Sequence, residues 1–296
     1  MTKIKKANEL KIPETVVGLI YGQPGVGKST LALSMPKPLL IDTDGGVHRI
    51  QAEHRCDTVQ VESYQDVLDV LDEDLSEYES IVIDTFGNLV KYMLAYFADK
   101  DPKLLTKGGT YNIKIWGLIK SEFSRIEFIM RNMGKNMLFV AHQSENKDGD
   151  TTYIRVKSQG SAKDDVLEIL DFMGYVEMLG KRRSISFSPC DRYYAKNSIK
   201  LDNYIEIPTL EGQGNTFMVD YIIKPSVERR KNEVIELEAI KQVEEQARGM
   251  IDAKNPNSTL DKWKSLDLNY YSKVKLFQEL TTATSLQWNE ESKRFE

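Results

Sequence analysis

Residues Gly22-Gln23-Pro24-Gly25-Val26-Gly27-Lys28-Ser29 follow the spacing G-x-x-x-x-G-K-S, and the chemistry this spacing serves is the capture of phosphate. Glycines let a loop wrap with its backbone N–H groups turned inward toward phosphate oxygens. A helix opening near Lys28 adds the positive end of its dipole. The Lys28 ammonium then reaches the β- and γ-phosphates of a nucleoside triphosphate. The Ser29 hydroxyl serves as a magnesium ligand, and Thr30 is placed for the α-phosphate. ATP and Mg2+ are the expected ligands. Asp84 ends the apolar run Ser80–Asp84 (SIVID). A strand-ending carboxylate of this kind holds the magnesium through a water.

Hydrolysis needs a further group to polarise water. Many ATP-driven motors carry a glutamate directly after the metal-binding aspartate, but here Thr85 fills that position. The run Ile41-Asp42-Thr43-Asp44 supplies another acid. Asp44 is the candidate to polarise the attacking water, and Asp42 reads as structural. In Phe139-Val140-Ala141-His142-Gln143, Gln143 is the expected γ-phosphate sensor and His142 a plain strand end.

The elements that must hold these groups are legible from periodicity. Apolar runs at 16–21, 39–42, 80–84 and 136–141 read as buried strands. Helical spacing covers 28–35, 63–71, 86–98 and 113–132, the first stopped by Pro36 and Pro38. Strands alternating with helices imply an α/β fold, a mostly parallel sheet flanked by helices. Residues 101–112, rich in Gly, Lys and Pro, read as a loop. Beyond Gln143 a polar segment, 144–164, is followed by shorter strands at 172–179, 183–188 and 192–195, an expected antiparallel extension of the sheet. Residues 203–221 are mixed. The charged stretch 227–253 reads as a helix, either solvated or partner-binding. Pro256-Asn257-Ser258 breaks it, and further helices are expected within 260–280. The division implied is a core, 1–225, and a helical extension, 226–296.

The chain has 296 residues, 41% hydrophobic and 29% charged, enough for one large domain plus an appendage. A net charge of -5 announces no global basic field, although a local basic groove remains compatible with it because screening confines fields to about 10 Å. Cys56 and Cys190 read as reduced thiols. No stretch approaches the roughly 18 apolar residues of a membrane span, and the basic start lacks an apolar signal region. The expectation is a cytoplasmic protein without membrane contact.

Taken in this order and spacing, the loop at 22–30, Asp44, Asp84 and Gln143 resemble the RecA-like ATPase core over residues 14–225. Within it the chain looks most like phage Sak-type ATP-binding proteins of single-strand annealing and recombination. The resemblance implies action in the host cytoplasm, homo-oligomerisation into a ring or filament, and a lysine reaching the neighbouring subunit's ATP. Tyr194-Ala195-Lys196-Asn197-Ser198 offers Lys196 for that role, with Ser198 where a second lysine is expected. It also implies two mobile DNA-contacting loops, corresponding to 101–112 and 144–164. Lys103 and Lys107 in the first, and Arg155, Lys157 and Lys163 in the second, can neutralise the phosphates of single-stranded DNA. Tyr153 can stack on a base. The acids Glu145, Asp148, Asp150, Asp164 and Asp165 dilute that basic character. Asp44 stands where family members often have glutamate, which implies slow turnover.

Three other readings share the phosphate loop. A ring-forming helicase or helicase loader would use the tail as a docking arm. A small-molecule kinase would need a lid of arginines, for which Arg182 and Arg183 are the nearest pair. A non-catalytic annealing protein would use ATP only to assemble. The tail's alternating charges suit a neighbouring subunit or a single-strand-binding protein better than DNA.

Overall fold

A computed structural model describes residues 13–149, 151–160, 168–209 and 215–296. By their contacts the described residues fall into two compact units, one ending at Val227 and one starting at Glu228.

The first unit is built on a sheet with the order β10-β8-β7-β1-β5-β4-β2-β3. Its strands are β1 (Val17–Gly22), β2 (Pro38–Asp42), β3 (Thr58–Gln60), β4 (Ser80–Asp84), β5 (Asn136–Asp148), β6 (Thr151–Val156), β7 (Phe172–Leu179), β8 (Arg182–Ser186), β9 (Lys196–Asn197) and β10 (Tyr204–Ile207). From β7 through β1, β5, β4 and β2 to β3 every pairing is parallel. β8 and β10 extend the sheet in antiparallel fashion, β6 pairs antiparallel with β5, and β9 pairs antiparallel with β7. The mostly parallel sheet with an antiparallel edge is as expected.

Both faces of this sheet are covered, which is why its strands read as continuous apolar runs. Successive side chains alternate between faces. Val17, Leu19 and Tyr21 of β1, Ile81 and Ile83 of β4, and Met137, Phe139 and Ala141 of β5 pack on one side. There they meet α2 (Tyr64–Asp72), α3 (Phe86–Lys100) and α4 (Ile113–Asn132). Ile20, Val82, Leu138 and Val140 pack on the other side with Leu31 and Ala32 of α1 (Lys28–Ala32). A Cβ on Gly18 would lie 2.1 Å from the Phe172 ring, so β1 and β7 approach as they do only because residue 18 has no side chain.

Four expectations shift. The expected strand at 192–195 does not form: Tyr193 makes only an isolated bridge with Ile154, and the short strand β9 follows at Lys196–Asn197. The first helix is shorter than 28–35, ending at Ala32. The fourth expected strand does not stop at 141. β5 runs on to Asp148, and with β6 it turns part of the expected polar loop into a hairpin. The short strand β3, absent from the reading of periodicity, adds the far edge of the sheet.

In the second unit most of α5 (Lys224–Gly249), with α6 (Pro256–Trp263) and α7 (Tyr270–Ala283), surrounds a small core. Ala247, Trp263, Leu268, Leu276, Leu280 and Phe295 are buried in that core. The Trp263 indole N–H donates to the Ala247 carbonyl at 2.8 Å, which satisfies the polar atom of a buried ring. The strands β11 (Trp288–Asn289) and β12 (Arg294–Phe295) close it with a ribbon.

Candidate nucleotide-binding site

Strand parity explains which side chains meet at the carboxyl edge of the sheet. On the face that carries α1, the even-numbered positions of β1, β2, β4 and β5 end at Gly22, Asp42, Asp84 and His142. Pairing places them in two adjoining rows: Gly22 is opposite His142, and Asp42 is opposite Asp84, which is itself opposite Val140, two residues before His142. Ligands of open α/β sheets bind at this edge.

The loop leaving β1 turns through Gly25 (φ 81) and Gly27 (φ 83), a left-handed conformation that favours glycine. A Cβ on Gly22 would meet the Val176 carbonyl oxygen at 2.1 Å, so the loop begins tight against β7. Val26 is buried in the core beneath it, whereas Gln23 and Pro24 are exposed. A cavity of about 300 Å3 opens over this loop. Its walls include Gly25, Gly27, Lys28, Ser29, Thr30, Asp42, Asp44, Asp84 and His142.

Lys28 is buried and donates to the Gln23 carbonyl at 2.6 Å. Burial lowers its pKa to about 8, against the opposing pull of Asp84. The Ser29 hydroxyl donates to Asp84 Oδ2 at 2.5 Å. Burial raises the Asp84 pKa, while Ser29 and Lys28 restrain the rise. Asp42 accepts the backbone N–H groups of Asp44, Gly46 and Val47 at 3.1, 3.0 and 3.0 Å; it shapes the turn that carries Asp44. Asp44 accepts from Asn88 Nδ2 at 2.8 Å and from Arg49 at 3.2 Å. Arg49 also lines the cavity, and nothing in the local pattern around it marked it out.

The donor set suits a hard cation. A hydroxyl and a carboxylate touch, and two more carboxylates stand at the same edge. Among the described residues no three His, Cys, Asp or Glu side chains form a cage of their own. Mg2+ held by Ser29 and Asp84 would therefore take its remaining oxygens from phosphate and water. When bound, it would neutralise phosphate charge.

His142 lines the cavity, and Gln143 does not. Gln143 lies on the opposite parity, where its amide donates to Glu145 at 3.0 Å and accepts from the Tyr175 hydroxyl at 3.4 Å. His142 Nδ1 is buried without a hydrogen-bond partner among the described residues. Burial, then Lys28, lowers the His142 pKa. Its carbonyl accepts from the Lys157 N–H at 2.8 Å. A second cavity of about 420 Å3 adjoins the first and shares Asp44, Thr85 and His142 with it. It is also lined by Asn88, Lys91 and Lys157.

The remaining sequence candidates lie apart. Lys196 sits on β9, its ammonium 3.4 Å from the Glu168 carbonyl. Lys103 is exposed in a short 3-10 helix, Pro102–Leu104, and Lys107 is exposed in the turn closed by the Leu105–Tyr111 bridge. Tyr153 and Arg155 lie on β6 of the hairpin. The Arg155 guanidinium is 3.8 Å from the centroid of Tyr194 and 5.1 Å from that of Tyr153, a cation–π arrangement. Lys163 lies outside the described residues.

A phosphate-binding loop between β1 and α1, with a carboxylate-bearing strand separated from β1 by one other strand, defines a P-loop ATPase domain. The family described as an AAA domain matches residues 14–199, and the chain belongs to that family. No curated protein matches the chain. A solved structure titled "Crystal structure of the RadB recombinase" aligns with 61% of this chain and 83% of that chain, at 14% identity and a TM-score of 0.38. No described helix is long and apolar enough to cross a membrane.

Proposed function

We propose that this chain is an ATP- and Mg2+-dependent protein that binds single-stranded DNA in phage recombination or annealing, with weak or DNA-stimulated ATP hydrolysis. The observation that carries the reading is the hydrogen bond between Lys157 and the carbonyl of His142. It joins the wall of the phosphate cavity to the foot of the β5–β6 hairpin, which bears Tyr153 and Arg155. A γ-phosphate read at the end of β5, through His142 as well as the neighbouring Gln143, would bias the hairpin's affinity for a strand. Tyrosine and arginine together suit stacking on unpaired bases and neutralising their phosphates; Lys103, Lys107 and Lys163 are further candidates for phosphate contact.

In this scheme Lys28, Ser29 and Asp84 hold Mg-ATP, Asp44 polarises the attacking water, and subunits assemble head to tail in a ring or filament in the host cytoplasm. Lys196 acts across the subunit boundary. Heterologous contacts of that kind close into rings or extend as filaments. The domain 226–296 serves as a contact for a neighbouring subunit or a single-strand-binding protein. A second reading is favoured by one observation: both Asp44 oxygens are engaged, one by Asn88 and one by Arg49. With both oxygens occupied, neither is free to orient the attacking water, and the protein would then use ATP to assemble rather than to turn over.

The test is the ATP hydrolysis rate with and without single-stranded DNA, at low salt and with Mg2+. Stimulation by DNA supports coupling between cavity and hairpin. A rate unmoved by DNA, with strand annealing still dependent on ATP, selects the second reading. Loss of nucleotide binding in Lys28→Ala with intact nucleotide-dependent assembly would refute the head-to-tail scheme.

A further inference from the structure

We propose that Arg183 is a phosphate ligand acting in cis, donating to the nucleotide held by the Gly22–Ser29 loop of its own chain. The inference rests on the ATP-binding reading above and adds to it a residue from the antiparallel edge of the sheet.

Parity places it. Ile185 and Phe187 are buried in the core on the α1 face, so Arg183, two residues before Ile185, projects to that same face. β7 fixes its position along the strand, pairing Met178 with Arg183, and β10 holds it from the other side through Ile207. β7 is itself the strand whose Val176 carbonyl presses on Gly22. The β7–β8 hairpin is thus a wall against which the phosphate loop is laid.

The guanidinium reaches that loop. A Cβ built on Gly27 would lie 3.2 Å from both Cζ and NH1 of Arg183, and 3.4 Å from NH2. Gly27 is the residue directly before Lys28, where loop N–H groups converge on phosphate. Its φ of 83 already favours glycine, and any side chain there would also have to displace the arginine.

The arginine lacks an acceptor. Its Nε is buried and has no hydrogen-bond partner among the described residues. Buried polar groups are ordinarily paired, and each exception calls for an explanation. A planar guanidinium is built to grip phosphate through two parallel N–H donors. With the guanidinium beside the side-chain position of Gly27 in the anion-binding loop, the missing acceptor is a phosphate oxygen of the bound nucleotide. Lys28 offers a point charge from within the loop, and Arg183 a directed fork from the strand beside it.

The experiment measures affinity by calorimetry for Mg-ATP and for inorganic pyrophosphate, in wild type, Lys28→Ala and Arg183→Gln, with the melting temperature of each ligand-free protein. The expected result is that Arg183→Gln weakens ATP and pyrophosphate alike by about tenfold, the effect of one charge-assisted hydrogen bond, at an unchanged ligand-free melting temperature. Wild-type affinity for both ligands overturns the proposal. Weakened ATP with unchanged pyrophosphate also overturns it, by moving Arg183 to the base or sugar. If Arg183→Gln is unstable, Arg183→Lys, which keeps charge and stem, is measured instead, and it too must weaken pyrophosphate. Absence of ATP binding in the wild type would instead refute the nucleotide reading itself, a result distinct from normal wild-type binding with an indifferent Arg183.

Discussion

The Ser29 hydroxyl and the Asp84 carboxylate lie 2.5 Å apart, joined across β5, which separates their parent strand and loop in the sheet. Ser29 belongs to the turn after β1 and Asp84 to the end of β4, so the contact exists only when the sheet is correctly ordered. It pre-positions two oxygens for one cation. Asp84→Asn keeps the shape and removes the charge. The expected outcome is that Mg2+ no longer improves ATP affinity, while affinity measured in chelator is little changed. Calorimetry at matched ionic strength reads both. The Asp84 pKa lies above the ordinary carboxylate value, so protons compete with the cation at higher pH than usual. The benefit of Mg2+ should fade as pH falls toward that raised pKa.

Lys28 gives a pH dependence of the opposite sign. Its pKa of about 8 in the empty site means that it begins to lose its proton above that pH. Phosphate charge favours the ammonium, so the bound state holds the proton more tightly than the empty one. ATP affinity is therefore full below pH 8 and falls as pH rises through it, by up to about tenfold per pH unit. Proton uptake on binding near pH 8.5, measured in buffers of different ionisation enthalpy, checks the sign. Proton release would contradict it.

His142 and Gln143 are adjacent but face opposite sides of β5, and they should differ when replaced. His142→Ala is expected to leave ATP affinity within a fewfold and to remove the response of ATPase or assembly to single-stranded DNA. Gln143→Ala is expected to disturb the Glu145 and Tyr175 contacts and to weaken that response only in part. Stopped-flow hydrolysis with and without oligonucleotide separates the two. The reverse pattern would return the sensor role to Gln143.

The C-terminal unit should respond to core truncation on its own account. Phe295 is buried and meets Phe277 and Trp288 at ring-centroid distances of 5.7 and 5.2 Å. Phe295→Ala should cost about 3–5 kcal/mol of that unit's stability. In calorimetric melting the transition that ATP does not shift should move down, and the transition that ATP raises should stay in place.

Local pattern was enough for β1, the phosphate loop and Asp84, because a buried parallel strand is a continuous apolar run and the loop has a fixed spacing. Parity was the information left unused. Leu138 and Val140 pack with α1, and continuing their alternation reaches His142; Gln143 stands out in the sequence because it is a polar strand end directly before the polar segment. The hairpin escaped notice because Glu145, Asn146 and Lys147 have poor strand propensity, and only pairing with β6 makes them extended. Arg49 carries no local signature, and Arg183 is marked in the sequence only as one of an adjacent pair of arginines. The turn shaped by Asp42 positions the first, and the register of β8 on β7 positions the second. Each depends on contacts between segments far apart in the chain or on a turn whose geometry composition does not reveal.

β5 is one uninterrupted strand from the core to the hairpin tip. Between His142 and Asp148 it spans roughly 20 Å at about 3.4 Å per residue. A ribbon of that length pivoting near His142 is a lever. A tilt of a few degrees at the phosphate would sweep its far end by an ångström or more; Tyr153, paired with Asn146, would travel with it, and Arg155, paired with Ser144 near the pivot, would move less. The site would then need no large rearrangement to report which nucleotide it holds; mechanical advantage alone would carry the message outward.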